Sequence, residues 1–211
     1  MKQLGLQLFS VRDYMQDEKS IAESLKKLSA IGYTQAQTAG CAIDYKTFAK
    51  LLSENNIEVV GTHYSYDDMV IKFDETVENH QLLGTKNCGT GGMPLWASES
   101  VEGLRKFVDS CNLIGEKLSK YGMKFTYHNH AHEFIRIDGK KTVMDILVDE
   151  LDPKTTSFCL DTYWVQAGGG DGAAWVEKLA GRIDILHLKD MKILDRKMTQ
   201  RFCEILEGNT I

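Results

Sequence analysis

The sequence predicts an α/β protein of the (β/α)8-barrel class, with about seven of the eight β/α units present. Three observations predict it. Short β-favouring runs alternate with helical patterns along the chain. That alternation makes repeated βαβ units and hence a parallel sheet. Polar or ionisable side chains collect at the C-terminal end of nearly every strand: Gln7, Gln37, His63, His128, His130, Asp161 and His187. In a barrel those ends converge on one mouth, where active sites of this architecture are built, whereas an open sheet would spread them along an edge. Neither GxGxxG nor GxxxxGK[ST] follows the first strand, which argues against a nucleotide-binding open sheet.

Taken in order, the candidate strands are Leu4 to Phe9, Tyr33 to Thr38, Ile57 to His63, Thr85 to Gly89, Met123 to Asn129, Ser157 to Asp161 and Ile183 to Leu188. Between them Ile21, Leu25, Leu28 and Ile31 share one helical face. Val101, Leu104, Phe107, Val108, Cys111, Ile114 and Leu118 show the same period. Gly32 and Gly122 stand where a helix closes before the next strand, and Asn55-Asn56 serves the same purpose. After the seventh strand a polar loop leads to Glu207-Gly208-Asn209-Thr210-Ile211. A complete barrel takes about 250 residues, so the chain is expected to stop before its eighth unit. Unpaired edges on the first and seventh strands would then favour self-association into a homo-oligomer.

At 211 residues and 43% apolar content the chain is expected to form one domain, residues 1–211. Its net charge of −5, with 25 basic and 30 acidic residues interspersed, offers no basic stripe for nucleic acid and no polybasic segment for a membrane. The five cysteines are scattered without a CxxC pair and read as reduced, mostly buried thiols. No signal peptide opens the chain, and no run approaches the roughly 20 apolar residues of a membrane span, so a cytoplasmic protein is expected.

Three segments carry the chemistry: Tyr127-His128-Asn129-His130-Ala131-His132-Glu133-Phe134, Leu160-Asp161-Thr162-Tyr163-Trp164, and His187-Leu188-Lys189-Asp190. Each places an imidazole or carboxylate on adjacent loops of one rim. Carboxylates with imidazoles, and no thiolate near, suit one hard or borderline divalent ion: Mn²⁺, Mg²⁺, Co²⁺ or Zn²⁺. Each residue also has a plainer reading. His187 alone is a half-buried strand histidine, Asp161 an Asx cap, and Glu133 a solvated loop charge. His63 either reaches substrate hydroxyls or makes a structural hydrogen bond, and Trp164 either stacks on a sugar or packs. His132 is expected to point outward and bind nothing. The glycines at 89, 91 and 92 and Gly168-Gly169-Gly170 read as flexible rim loops.

On these segments, together with Gly5-Leu6-Gln7-Leu8-Phe9-Ser10-Val11-Arg12-Asp13 and Gly181-Arg182-Ile183, the chain resembles the sugar phosphate isomerase/epimerase family. That family has a xylose isomerase-like TIM barrel, and the likeness is to its YHNHxxEF branch. The resemblance spans nearly the whole chain. It implies one divalent metal ion held by Glu, Asp, His and a second Glu on the eighth strand, with Glu133, Asp161 and His187 as the ligands present here. Many relatives carry the first Glu where this chain has His128. Glu207-Gly208-Asn209 resembles the family's GEGN turn before the last helix and strand.

The activity so implied is isomerisation or epimerisation of a small sugar or keto-sugar by proton abstraction next to a carbonyl. His128 or His130 would be the base, Lys189 the donor to the developing oxyanion with Asp190 orienting it, and Gln7, His63 and Trp164 the substrate contacts. The His128 and His130 pair also resembles inosose dehydratase and 3-keto-glycoside lyase relatives, so a lyase or dehydratase is the alternative. A non-catalytic carbohydrate-binding remnant is a third reading.

Overall fold

The computed structural model describes residues 4–209. They fall into two compact units, Met1–Gly91 with Ile114–Phe125, and Gly92–Leu113 with Thr126–Ile211. Strands occur at each of the seven expected places, trimmed or shifted by a few residues at their ends.

In the first unit the order is β1 (Gly5–Gln7), a 3-10 segment (Leu8–Tyr14), α1 (Glu18–Ile31), β2 (Gln35–Ala39), α2 (Tyr45–Glu54), β3 (Glu58–His63), α3 (Tyr66–Ile71), α4 (Phe73–Leu83) and β4 (Asn87–Thr90). Helix α1 starts on a capping box between Asp17 and Ser20 and closes on Gly32, whose φ of 110° is left-handed. Its buried face is Ile21, Leu25 and Leu28, while Ile31, expected on that face, is exposed at the end of the helix. These pack with Phe48 and Leu52 of α2 and Val59 of β3 into one apolar cluster. Each large side chain buried there contributes roughly 1.5–3 kcal/mol. Strands β1, β2 and β3 are parallel and adjacent, and Tyr64 just after β3 bridges to Thr90 of β4.

The second unit opens with α5 (Leu95–Ser98) and α6 (Val101–Ser119), whose last turns belong to the first unit. Then come β5 (Lys124–His128), a 3-10 turn (Ala131–Phe134), α7 (Val143–Glu150), β6 (Thr156–Asp161), α8 (Thr162–Ala167), α9 (Gly172–Lys178), β7 (Ile183–His187), β8 (Asp190–Ile193) and β9 (Gln200–Cys203). Strands β5, β6 and β7 lie in that order, with β6 and β7 parallel. Strand β6 is buried along its whole length, as expected of a parallel strand covered on both faces, while β7 alternates between half-buried and exposed. Phe107 of α6 meets Tyr127 of β5 edge-on at 5.9 Å in the core.

Two expectations change here. Where a polar loop was expected after β7, β8 and β9 form an antiparallel hairpin. Asp190 anchors it: the carboxylate accepts from the backbone N–H of Met191, Leu206 and Gly208 at 2.8, 3.0 and 3.0 Å. A Cβ on Gly208 would strike the Met191 carbonyl and the Asp190 carboxylate. Asp190 therefore holds the following turn. The second change concerns Gly168-Gly169-Gly170, which is a packed turn. A Cβ on Gly168 would run into the Phe134 ring, and one on Gly170 into Val165. Among the described residues no helix is long and apolar enough to cross a membrane.

Candidate functional site

The site in the second unit begins with a register. Along β6 and β7, Phe158 pairs with Ile183, but a one-residue shift follows and Cys159 pairs with Ile185. Unbroken pairing would set Asp161, three residues on, opposite Leu186. The shift sets it opposite His187 instead. Because side chains alternate along a strand, this single slip decides which face of β7 meets the carboxylate.

Asp161 is buried, and its Oδ2 faces three cationic or imidazole nitrogens. His128 Nε2 is at 3.4 Å, His187 Nδ1 at 3.5 Å and Lys189 Nζ at 3.7 Å. Its Oδ1 caps α8 by accepting from Trp164 N at 3.1 Å, so the Asx-cap reading and the cluster reading hold together. Burial opposes the carboxylate charge, yet the hydrogen bonds from His128 and His187 and the charge of Lys189 outweigh it. Asp161 stays well below the usual carboxylate range. Burial pushes the His187 imidazole and the Lys189 ammonium down, against the pull of Asp161. The Lys189 ammonium lies 4.5 Å from the Trp164 ring centre, 4.9 Å from Tyr163 and 4.2 Å from Phe202 of β9.

Glu133 takes a different place from the one expected beside Asp161 and His187. It is fully buried, so it is no solvated loop charge. The 3-10 turn that follows β5 folds it back: Oε1 accepts from Tyr127 Oη at 2.5 Å and Oε2 from His130 N at 2.8 Å. His132 does not stand idle, since its Nε2 lies 3.3 Å from Glu133 Oε1, which holds its pKa up. Burial pushes Glu133 up, but the His132 and Tyr127 hydrogen bonds prevail and its pKa is lowered. His130 is pushed down to about 4, by burial first and then by His128. Its ring stacks on His132 at 5.4 Å and lies 5.2 Å from Trp164.

Two groups of potential metal donors result in this unit. A nitrogen from each of His128 and His187 and an oxygen of Asp161 lie within 4.8 Å of one another, and so do donors from His130, His132 and Glu133. The first group fits a divalent ion on its chemistry: an ionised, buried carboxylate between two imidazoles.

Gln7 and His63 belong to the first unit. Gln7 Nε2 lies 3.1 Å from Gln37 Oε1 and 3.3 Å from His63 Nδ1, a polar cluster formed by the last residues of β1 and β3 and the middle of β2.

Three residues went unrecognised in the sequence. Asn129 ties β5 to β6, accepting from Asp161 N at 2.8 Å and donating to Asp161 O at 3.4 Å. Tyr127 fixes Glu133. Cys159 Sγ lies 3.3 Å from His187 Nε2, which corrects the expectation of no thiol nearby. The signal for Cys159 was present, because it stands two residues before Asp161 and shares its face of β6.

A family model described as Xylose isomerase-like TIM barrel matches residues 25–211. The chain belongs to that family. This xylose isomerase-like TIM barrel has parallel β/α architecture and is 33% identical over 170 residues to an inosose dehydratase of Geobacillus thermodenitrificans. The match takes in 71% of this chain and 56% of the relative, so the barrel chain spans just over half of that relative's length. A sugar phosphate isomerase/epimerase from Parabacteroides distasonis superposes with a TM-score of 0.76 at 26% identity, covering 92% of this chain and 77% of that one. A probable 3-DHS dehydratase from Bacillus anthracis has a TM-score of 0.73 at 12% identity, covering 99% and 85%, and shares the fold.

Proposed function

We propose that this member of the xylose isomerase-like family is a divalent-metal-dependent enzyme that removes a proton next to the carbonyl of a sugar, keto-sugar or keto-inositol. The observation that carries the reading is Asp161 Oδ2 set 3.4–3.7 Å from His128 Nε2, His187 Nδ1 and Lys189 Nζ. His128, Asp161 and His187 would hold the ion, in place of the Glu133, Asp161 and His187 set that the family resemblance implies. When bound, such an ion would supply Lewis-acid polarisation of the substrate carbonyl. Asp161, kept ionised, supplies the charge that holds it. Lys189, whose pKa burial lowers, takes the proton in its neutral form and then, as the ammonium, donates to the oxygen on which negative charge develops. Trp164, part of the aromatic group around Lys189, offers a flat wall for the apolar face of the substrate ring.

Two outcomes share this first step. Reprotonation of the same carbon from its other face gives an epimer and reprotonation of the former carbonyl carbon an isomer, while loss of a β-hydroxyl gives an enone. The likeness to an inosose dehydratase supports the second outcome. The test is solvent deuterium exchange, followed by NMR, in a panel of ketoses, inososes and 3-keto-glycosides with Mn²⁺, Co²⁺ or Zn²⁺. Metal-dependent exchange at the carbon next to the carbonyl, abolished by Asp161→Asn and reduced by Lys189→Met, is expected. An enone signal marks dehydration or lyase chemistry. If no substrate exchanges with any metal, the catalytic reading is wrong and carbohydrate binding alone takes its place.

A further inference from the structure

We propose that His130, His132 and Glu133 form a second divalent-cation site, distinct from the Asp161 group and suited to a borderline ion of the Zn²⁺ or Co²⁺ class. The inference goes beyond the proposed function and does not depend on it.

The local chain builds the site. The 3-10 turn at Ala131–Phe134 returns residue 133 over residue 130, so Glu133 Oε2 accepts from the His130 backbone N–H. Donor atoms of His130, His132 and Glu133 then lie within 4.8 Å of one another. Two imidazoles and one carboxylate, with a further position left to water, is a recurrent zinc arrangement. Glu133 is supported from behind by Tyr127 Oη at 2.5 Å, the outer hydrogen bond that orients a ligand and raises its affinity. His132 is half-exposed, which opens a path for the ion.

A second, independent observation points to a ligand. His130 Nδ1 is buried and has no hydrogen-bond partner among the described residues. Buried ring nitrogens are ordinarily paired, so this one has an unmet lone pair or proton. Nor does His130 belong with the Asp161 group. Its donor atoms group with those of His132 and Glu133, whereas His128 groups with Asp161 and His187.

Equilibrium dialysis of the metal-stripped full chain against Zn²⁺, with the bound metal counted by mass spectrometry, tests the site. Circular dichroism checks that each variant is folded. Two ions per chain are expected, one after His132→Ala, one after Asp161→Asn, and none after both. Glu133→Gln repeats the loss without touching an imidazole, and Co²⁺ loading of Asp161→Asn should give the visible bands of a tetrahedral site. If His132→Ala keeps the wild-type stoichiometry, the site is refuted. A single wild-type ion lost only on Asp161→Asn also refutes it, while sparing the proposed function. A single ion lost only on His132→Ala supports this site and sinks the Asp161 reading. A chain that binds no ion overturns both.

Discussion

Tyr127 donates its hydroxyl hydrogen bond to Glu133 Oε1 across 2.5 Å, and both side chains are buried. The pair pins the turn after β5 to the strand itself. Burial and the neighbouring Glu133 charge push the tyrosine hydroxyl up well above its ordinary pKa, so it remains a donor throughout the working range. Tyr127→Phe keeps the edge-on contact with Phe107 and removes only the hydroxyl. Leaving a buried carboxylate short of a donor costs roughly 1–3 kcal/mol. Urea unfolding of the two proteins should show that loss, and an unchanged midpoint would mean Glu133 finds another partner.

Asn129 holds both backbone polar groups of Asp161. Asn129→Ala should leave the ion-binding side chains in place but release the carboxylate from its fixed position. Affinity for Mn²⁺ or Zn²⁺ at the Asp161 group should fall about 10–100-fold, the usual cost of losing an outer support. Titration calorimetry in the His132→Ala background reads that group alone.

His80 provides a pH-dependent contribution to stability in the first unit. Its ring is buried, with Nε2 2.8 Å from Thr62 Oγ1 and Nδ1 2.7 Å from Thr76 O, and burial pushes its pKa below the ordinary 6.5. The unfolded chain therefore binds the proton more readily than the folded one. Stability is full above pH 6.5 and falls as pH drops below it. His80→Gln should flatten part of the decline in Tm between pH 7 and pH 5, with His130 and His187 supplying what remains. A slope identical to wild type would show that His80 is not held neutral.

Gly208→Ala should loosen the β8–β9 hairpin, since the added methyl meets the Met191 carbonyl and the Asp190 carboxylate. Overpacking of this kind costs typically 1–3 kcal/mol. Hydrogen exchange should accelerate in Asp190–Ile193 and Gln200–Cys203 and leave β5 and β6 unchanged.

Much of the architecture was legible because its causes are local. Strand β6 is legible from the apolar run Phe158-Cys159-Leu160 at its centre, and α1 shows its buried face in the spacing of Ile21, Leu25 and Leu28. The β8–β9 hairpin was hidden. Its strands carry the polar residues Asp190, Lys192, Gln200 and Arg201, and Asp190 forms it through backbone donors that no side-chain pattern reveals. The residue types of the candidate site were also legible. His128, Asp161 and His187 announce themselves as ionisable residues at the ends of β-favouring runs.

The sequence by itself determined the β/α order, the buried helix faces and the strand ends at which ionisable groups stand, because each follows from the period of its own segment. Only the tertiary structure decided the partners. A one-residue slip between Phe158 and Cys159 turns His187 rather than Leu186 toward Asp161. A single tight turn sends Glu133 to Tyr127 and His132 rather than to Asp161. Both choices depend on contacts between segments far apart in the chain or on the closing of one turn, and neither leaves a period in the sequence.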